Sequence, residues 1–294
     1  MGIAKDVIRV GRIDFLNTLP FFCSEGKRTP LSGASLVPGT PAGLNGKLVS
    51  GEIDASIASS LLYAAHPEKF LILPDLCIGA SGKSNSVILF SREPLESLGG
   101  KTIALSPKSL SAVSLLKILL ALRWKIPCNW VPCPMATLEM AEHFPAFLLI
   151  GDDALFLNPR PAFVYDLSEL WREWTGLPFC FALWQVRRSF SEMHPERVRI
   201  FCEELNANLR AGLSDPDRLI RGYPFPSEGD RRFAAGYLRN LEYHLSREMR
   251  QGLELFYEYA AEIGLIPEAP ELLFFEDRSS LPKGAFLSEL GKRS

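Results

Sequence analysis

Histidine is scarce in this sequence, with 4 in 294 residues, at positions 66, 143, 194 and 244. Each falls at an expected helix end or on a charged helix, so surface or capping roles are the plain reading. No Ser-His-Asp arrangement and no metal cluster can be assembled from neighbouring motifs. Any reaction carried by this chain is expected to run without a histidine base. The 6 cysteines, at 23, 77, 128, 133, 180 and 202, form no CxxC pair, and the spacing of Cys128 and Cys133 is wrong for a zinc knuckle. A chain of this length does not need disulfide staples, so reduced, buried thiols in a cytoplasmic protein are expected. No window approaches the roughly 18 uninterrupted apolar residues of a membrane span. The opening Met1-Gly2-Ile3-Ala4-Lys5-Asp6 lacks the apolar core of an export signal. An excess of one charge is missing too. The net charge is −2, and residues 92–186 carry 8 Lys/Arg against 9 Asp/Glu. Nothing here suits nucleic acid or an anionic membrane. Glycine and proline, 22 of each, are scattered without period, which excludes collagen-like and low-complexity classes.

Phosphate-binding and hydrolase motifs are also lacking. Gly79-Ala80-Ser81-Gly82-Lys83-Ser84 looks like a phosphate loop, but Cys77 stands where the first glycine is required, and Lys83 spoils G-x-S-x-G. Residues 77–85 therefore read as a loop. No GxGxxG and no HExxH occurs.

What is present is an ordinary globular composition, 47% hydrophobic and 22% charged, in a length that suggests about two domains. The first half alternates short apolar runs with helical stretches. Strands are expected at 7–11, 34–37, 53–58, 86–91, 102–105, 147–150, 163–165 and 179–186. Thr40-Pro41 opens a helix that Gly51 ends, with threonine as N-cap and proline in the first turn. Ser59-Ser60 opens another, ending before Pro67. Ser111 to Leu122 carries an apolar face at Val113, Leu116 and Leu120, and Asp166 to Thr175 is closed by Gly176 and Pro178. Helices are expected over 195–213, 231–245 and 247–263, and no internal repeat is visible. The βαβ rhythm predicts parallel sheets covered by helices. The fold class expected is α/β: a two-lobed, type-2 periplasmic-binding-protein-like fold with a central cleft. Its lobes are joined by two crossing strands, 86–91 and 179–186. Lobe one is then discontinuous, 1–91 plus 187–294, and lobe two is 92–186.

The cleft is the expected site. Polar residues at strand ends and helix starts converge on it: Asn17, Ser59, Ser60, Ser86, Ser106, Ser109, Ser111, Gly151, Asp152 and Asp153. Each alone is commonly a helix cap. Together, hydroxyls beside helix N-termini make a place for carboxylates. The residues alone lead to a cleft for a small anionic organic molecule.

A resemblance sharpens this. Arg9-Val10-Gly11-Arg12-Ile13-Asp14-Phe15-Leu16-Asn17-Thr18-Leu19-Pro20 resembles the opening of the chorismate dehydratases of the futalosine route to menaquinone. Gly39-Thr40-Pro41-Ala42 with Leu44-Asn45, Gly51-Glu52-Ile53-Asp54-Ala55-Ser56-Ile57-Ala58-Ser59-Ser60, and Cys77-Ile78-Gly79 followed by Ser86-Val87-Ile88-Leu89-Phe90-Ser91 continue it. Ile150-Gly151-Asp152-Asp153-Ala154-Leu155 and the run from Tyr165 to Phe179 complete it, so that the likeness covers about residues 8–190. Two positions depart from the pattern. Ala112 stands where a hydroxyl residue is expected, and Asp14 where small or uncharged residues are common. The resemblance implies a lyase that dehydrates chorismate to 3-[(1-carboxyvinyl)oxy]benzoate without metal or organic cofactor. It implies Asn17 and Ser86 as the catalytic pair, and Ser59, Ser60, Ser106, Ser109, Ser111, Gly151 and Asp152 as substrate-binding residues. The base is either the substrate's own enolpyruvyl carboxylate or one of Asp152 and Asp153. Two alternatives remain on the sequence: a non-catalytic solute-binding protein, and a lyase like the one that makes 1,4-dihydroxy-6-naphthoate.

Overall fold

The computed structural model describes residues 7–24, 27–28, 31–133 and 143–276. The opening Met1–Asp6, read above for an export signal, lies outside the described residues. Twelve strands are numbered in chain order: β1 Ile8–Arg12, β2 Cys23–Ser24, β3 Lys27–Arg28, β4 Ala34–Pro38, β5 Ala55–Ser59, β6 Phe70–Ala80, β7 Val87–Ser91, β8 Thr102–Leu105, β9 Asn129–Pro132, β10 Ala146–Ile150, β11 Phe163–Asp166 and β12 Phe179–Arg187. They form two five-stranded sheets, β4-β1-β5-β12-β6 and β11-β7-β10-β8-β9, and the short pair β2-β3. In the first sheet β4, β1 and β5 run parallel, and β12 runs antiparallel to both β5 and β6. In the second, β9, β8 and β10 run parallel, and β7 is antiparallel to its neighbours. Parallel strands need both faces covered. β5 and β10 accordingly consist of buried residues throughout, and so does the antiparallel β7 between β10 and β11.

The chain passes between the sheets twice, at 81–86 and at 176–178. The strands expected to cross each lie in one sheet and begin where a passage ends. Sheet membership places β7 with the second sheet and β12 with the first, whereas the expected division fell at 91/92 and 186/187.

Local chemistry explains most helix ends. Thr40 accepts from the Gly43 N–H, Pro41 opens the helix Pro41–Ser50, and Gly51 closes it at φ 82°. Ser109 caps Leu110–Ile118 by accepting from the Ala112 N–H. Asp166 caps Leu167–Thr175, and Gly176 ends it at φ 74°. The helices Pro195–Ser214, Glu228–Asn240 and Arg247–Glu262 form the C-terminal third, and the last two are capped by Ser227 and Ser246.

Three expectations change. Residues 77–80 are not loop but the end of β6. Small, buried Cys77, Gly79 and Ala80 let that strand lie against Phe179–Leu183, and a side chain on Gly79 would meet the Phe179 carbonyl at 2.7 Å. The helix expected over 231–245 stops at Asn240, because the following residues bond to β6 instead: the Cys77 N–H donates to the Tyr243 carbonyl at 3.0 Å, and Gly79 pairs with Glu242. The helix Ser60–Ala65 has Ser59 at its N-cap position, but the Ser59 side chain makes no capping bond. Of the six thiols, Cys77 and Cys180 are buried and the other four are half-buried.

Candidate functional site

A cavity of about 80 Å³ lies between the sheets. It sits outside the C-terminal ends of β1, β5, β8 and β10, where an open α/β sheet leaves a crevice. Its wall is mainly apolar: Ile13, Phe15, Ile57, Ile78, Ile150 and Phe181 contribute. The polar side chains on it are Asn17, Thr18, Asn45, Ser59, Ser86, Lys108 and Ser109.

Each polar group has a local reason for its position. After β1 the chain turns through Leu16–Thr18, and the Thr18 hydroxyl ties this turn to the carbonyls of Ile13 at 2.6 Å and Phe15 at 2.8 Å. That turn sets Asn17 on the floor of the cavity. Its Oδ1 is buried and has no partner among the described residues. Ser86 precedes β7. Its carbonyl accepts from the Gly151 N–H at 2.7 Å, and its hydroxyl accepts from Tyr237 at 3.0 Å. Gly151, at φ 61°, adopts a backbone that favours glycine, and a Cβ there would meet the Phe15 ring at 2.9 Å. Lys108 brings a cation to the wall, beside the N-terminus of Leu110–Ile118, and pairs with Asp153. The start of Pro41–Ser50 supplies a second helix N-terminus, with Pro41 and Asn45 in the wall. Two positive helix ends, a lysine and several hydroxyls favour a small organic anion.

Of the expected site residues, the fold brings Asn17, Ser59, Ser86, Ser109 and Gly151 together on this wall. Ser60, Ser106, Ser111 and Asp152 are not on it. Ser60 donates to the Cys180 carbonyl at 2.8 Å, inside the core. Ser106 accepts from the Lys108 N–H at 3.3 Å and so shapes the turn before the helix. Ser111 donates to the Phe181 carbonyl at 2.7 Å, while its N–H bonds Ser59 Oγ at 3.0 Å. That pair joins the two sheets, which is why Ser59 does not cap its own helix. Asp152 turns to the Leu16 N–H, at 3.2 Å, and to the Tyr223 hydroxyl. Burial pushes its carboxyl above the usual range, against the downward pull of those two donors. Ala112 is fully buried and away from the wall, and Asp14 pairs with Arg12 near the surface.

Sequence reading gave no role to Lys108, Asn45, Tyr223 or Tyr237. Asn45 lies within a quoted motif and Lys108 between Ser106 and Ser109, so their positions at helix starts were available as a signal. The tyrosines come from the C-terminal third and carry no local signal. Among the described residues, no group of three or more His, Cys, Asp or Glu could hold a metal ion. No helix there is long and apolar enough to cross a membrane.

Known proteins resemble this chain closely enough to place it. It is similar to the chorismate dehydratase of Thermus thermophilus, 32% identical over 257 residues, covering 82% of this chain and 90% of that protein. It is also similar to the chorismate dehydratase of Campylobacter jejuni, at 25% identity over 87% of this chain and 98% of that one. Among solved structures, an Archaeoglobus fulgidus protein superposes with a TM-score of 0.66 at 24% identity, covering 90% of this chain and all of that one. The alkanesulfonate-binding protein of Xanthomonas axonopodis pv. citri, bound to MOPS, gives 0.59 at 14% identity over 92% of this chain and 96% of that one. These likenesses establish the periplasmic-binding-protein-like fold. A family model described as menaquinone biosynthesis matches residues 8–262, and the chain belongs to that family.

Proposed function

We propose that this chain is a chorismate dehydratase, releasing water from chorismate to give 3-[(1-carboxyvinyl)oxy]benzoate. The observation that carries this is the 32% identity with the Thermus thermophilus enzyme over most of both chains. The cavity suits the chemistry. Chorismate carries two carboxylates, a hydroxyl at C4 and an enolpyruvyl ether at C3. Loss of the C3 proton and the C4 hydroxyl makes the ring aromatic, which supplies the driving force. The protein then has to hold one ring conformation and favour departure of the hydroxyl. Lys108 and the two helix N-termini suit the carboxylates, and the apolar wall suits the ring. Asn17 and Ser86 are the groups assigned to the leaving hydroxyl or to a carboxylate beside it.

The base in this reading is the substrate's own enolpyruvyl carboxylate. Asp152 is engaged with Leu16 and Tyr223, and Asp153 with Lys108; neither lines the cavity. The C3 proton passes to that carboxylate, and the C3–H electron pair becomes the C3–C4 double bond as the C4–O bond breaks. The departing oxygen takes the same proton back from the carboxyl group and leaves as water.

The test is incubation of the purified protein with chorismate, followed by mass spectrometry and NMR. A product lighter by one water, with a meta-substituted benzoate ring, is expected. Chorismate that binds but stays intact would instead identify a solute-binding protein. Chorismate neither bound nor changed would direct the search to the substrate of the 1,4-dihydroxy-6-naphthoate lyase.

A further inference from the structure

Both residues assigned to the leaving group are held by tyrosines from the C-terminal third. Tyr237, on the helix Glu228–Asn240, is 1% exposed and donates to Ser86 Oγ at 3.0 Å. The Asn17 side chain adjoins the same phenol. Tyr243, just beyond that helix, donates to the Asn17 carbonyl at 3.1 Å. The direction of the first bond matters. A serine hydroxyl has one proton to give and two lone pairs. Ser86 spends a lone pair on Tyr237, and among the described residues its hydroxyl makes no other hydrogen bond. Its own proton is therefore available to a partner in the cavity, and a donor bonded to Oγ makes that oxygen a poorer base and a better donor. The Ser86 main chain is fixed beside the cavity by its carbonyl's bond to the Gly151 N–H.

We propose that Tyr237 is a positioning residue for the dehydration: it orients the Ser86 hydroxyl as a hydrogen-bond donor to the departing C4 oxygen. This rests on the dehydratase reading above. Burial raises the phenol well above its ordinary value, opposed by Ser86 and Asn17, so Tyr237 keeps its proton through the reaction. It acts by direction and polarisation only.

The experiment compares steady-state turnover of chorismate by the parent protein, Tyr237→Phe, Ser86→Ala and the double variant. Tyr237→Phe removes one oxygen and keeps the ring. Its kcat is expected to fall about 10- to 100-fold, as for loss of one oriented donor, with KM within about threefold. Because Tyr237 acts through Ser86, the double variant is expected to match Ser86→Ala within about twofold. Losses that multiply in the double variant overturn the proposal, and so does a Tyr237→Phe protein with parental kcat. A parent without turnover defeats the dehydratase reading and this proposal with it. An active parent with multiplying losses defeats the proposal alone. Thermal unfolding is read beside each variant. Should Tyr237→Phe fail to fold, 3-fluorotyrosine at position 237 provides the second reading. A change in kcat of at least about twofold at constant KM is then expected, and an unchanged kcat overturns the proposal.

Discussion

At the scale of single residues, the site separates groups that face the cavity from groups that build it. Ser59 and Ser86 keep hydroxyls on the wall, while Ser60 and Ser111 give theirs to main-chain carbonyls. Asp152 shows the same separation for a carboxylate. If it or Asp153 were the base, replacing both by asparagine would cost about 10²–10⁴-fold in kcat. Since neither side chain lines the cavity, Asp152 being engaged with Leu16 and Tyr223 and Asp153 with Lys108, the pair Asp152→Asn and Asp153→Asn is expected to keep kcat within about tenfold of the parent in chorismate turnover assays. The same carboxyl also gives a pH signature. Burial raises its pKa in the folded protein, so the folded state holds this proton more tightly than the unfolded chain does. The charged form is therefore a liability above the raised value, and stability is regained as pH falls through that value toward the ordinary carboxylate range. Asp152→Asn removes this dependence. Urea midpoints at pH 7 and near pH 4.5 are expected to show the variant gaining relative to the parent at the higher pH and losing that gain at the lower.

At the scale of elements, much of the framework was legible because its signals are local. The Thr40-Pro41 start and Gly51 stop, the Ser109 cap and the Asp166–Gly176 helix all follow from capping chemistry. Buried β-rich runs located β1, β5, β8, β10 and β12. The end of β6 was not legible, since Cys77-Ile78-Gly79-Ala80 has the composition of a turn and becomes a strand only by pairing with β12. The tyrosines were hidden for the same reason: Tyr237 and Ser86 lie 151 positions apart, and no periodicity links them. Asp166 is the element-scale feature with the clearest consequence. Its carboxylate accepts from the Ser168 and Glu169 N–H groups as a cap, and also from the Ser84 hydroxyl and the Asn85 N–H in the passage between the sheets. Asn85 is held there at φ 60°, in the left-handed region that asparagine tolerates. Asp166→Ala strands buried donors on both the helix and the passage. A loss of about 2–4 kcal/mol, read by urea denaturation, is expected. A loss near 1 kcal/mol, that of a cap alone, would mean the passage holds its shape without the carboxylate.

At the scale of the whole molecule, the two sheets are linked covalently by only two short passages, yet several contacts hold them face to face. The Leu16 N–H reaches Asp152 at 3.2 Å, Ser111 reaches Ser59 at 3.0 Å, and the Phe15 ring lies against Gly151. Tyr223, on the segment before Glu228–Asn240, bonds the other oxygen of Asp152, and Phe225 beside it packs edge-on against Phe156 at 6.0 Å between ring centres. If such contacts part to admit a substrate and re-form behind it, the substrate is sealed from water. Closure is then an equilibrium, and affinity depends on how much of the protein occupies the closed form. Tyr223 tests this because its hydroxyl touches Asp152 and not the cavity wall. Tyr223→Phe keeps the packing against Phe225 and removes one hydrogen bond to a carboxylate, an interaction of about 1.5–3 kcal/mol. If that bond favours the closed form, chorismate affinity is expected to fall about tenfold or more when measured by calorimetry under conditions without turnover. Small-angle scattering without substrate is expected to show the variant more extended than the parent, with the two converging when substrate saturates both. Unchanged affinity together with unchanged scattering would show that the Tyr223–Asp152 bond does not favour a closed form.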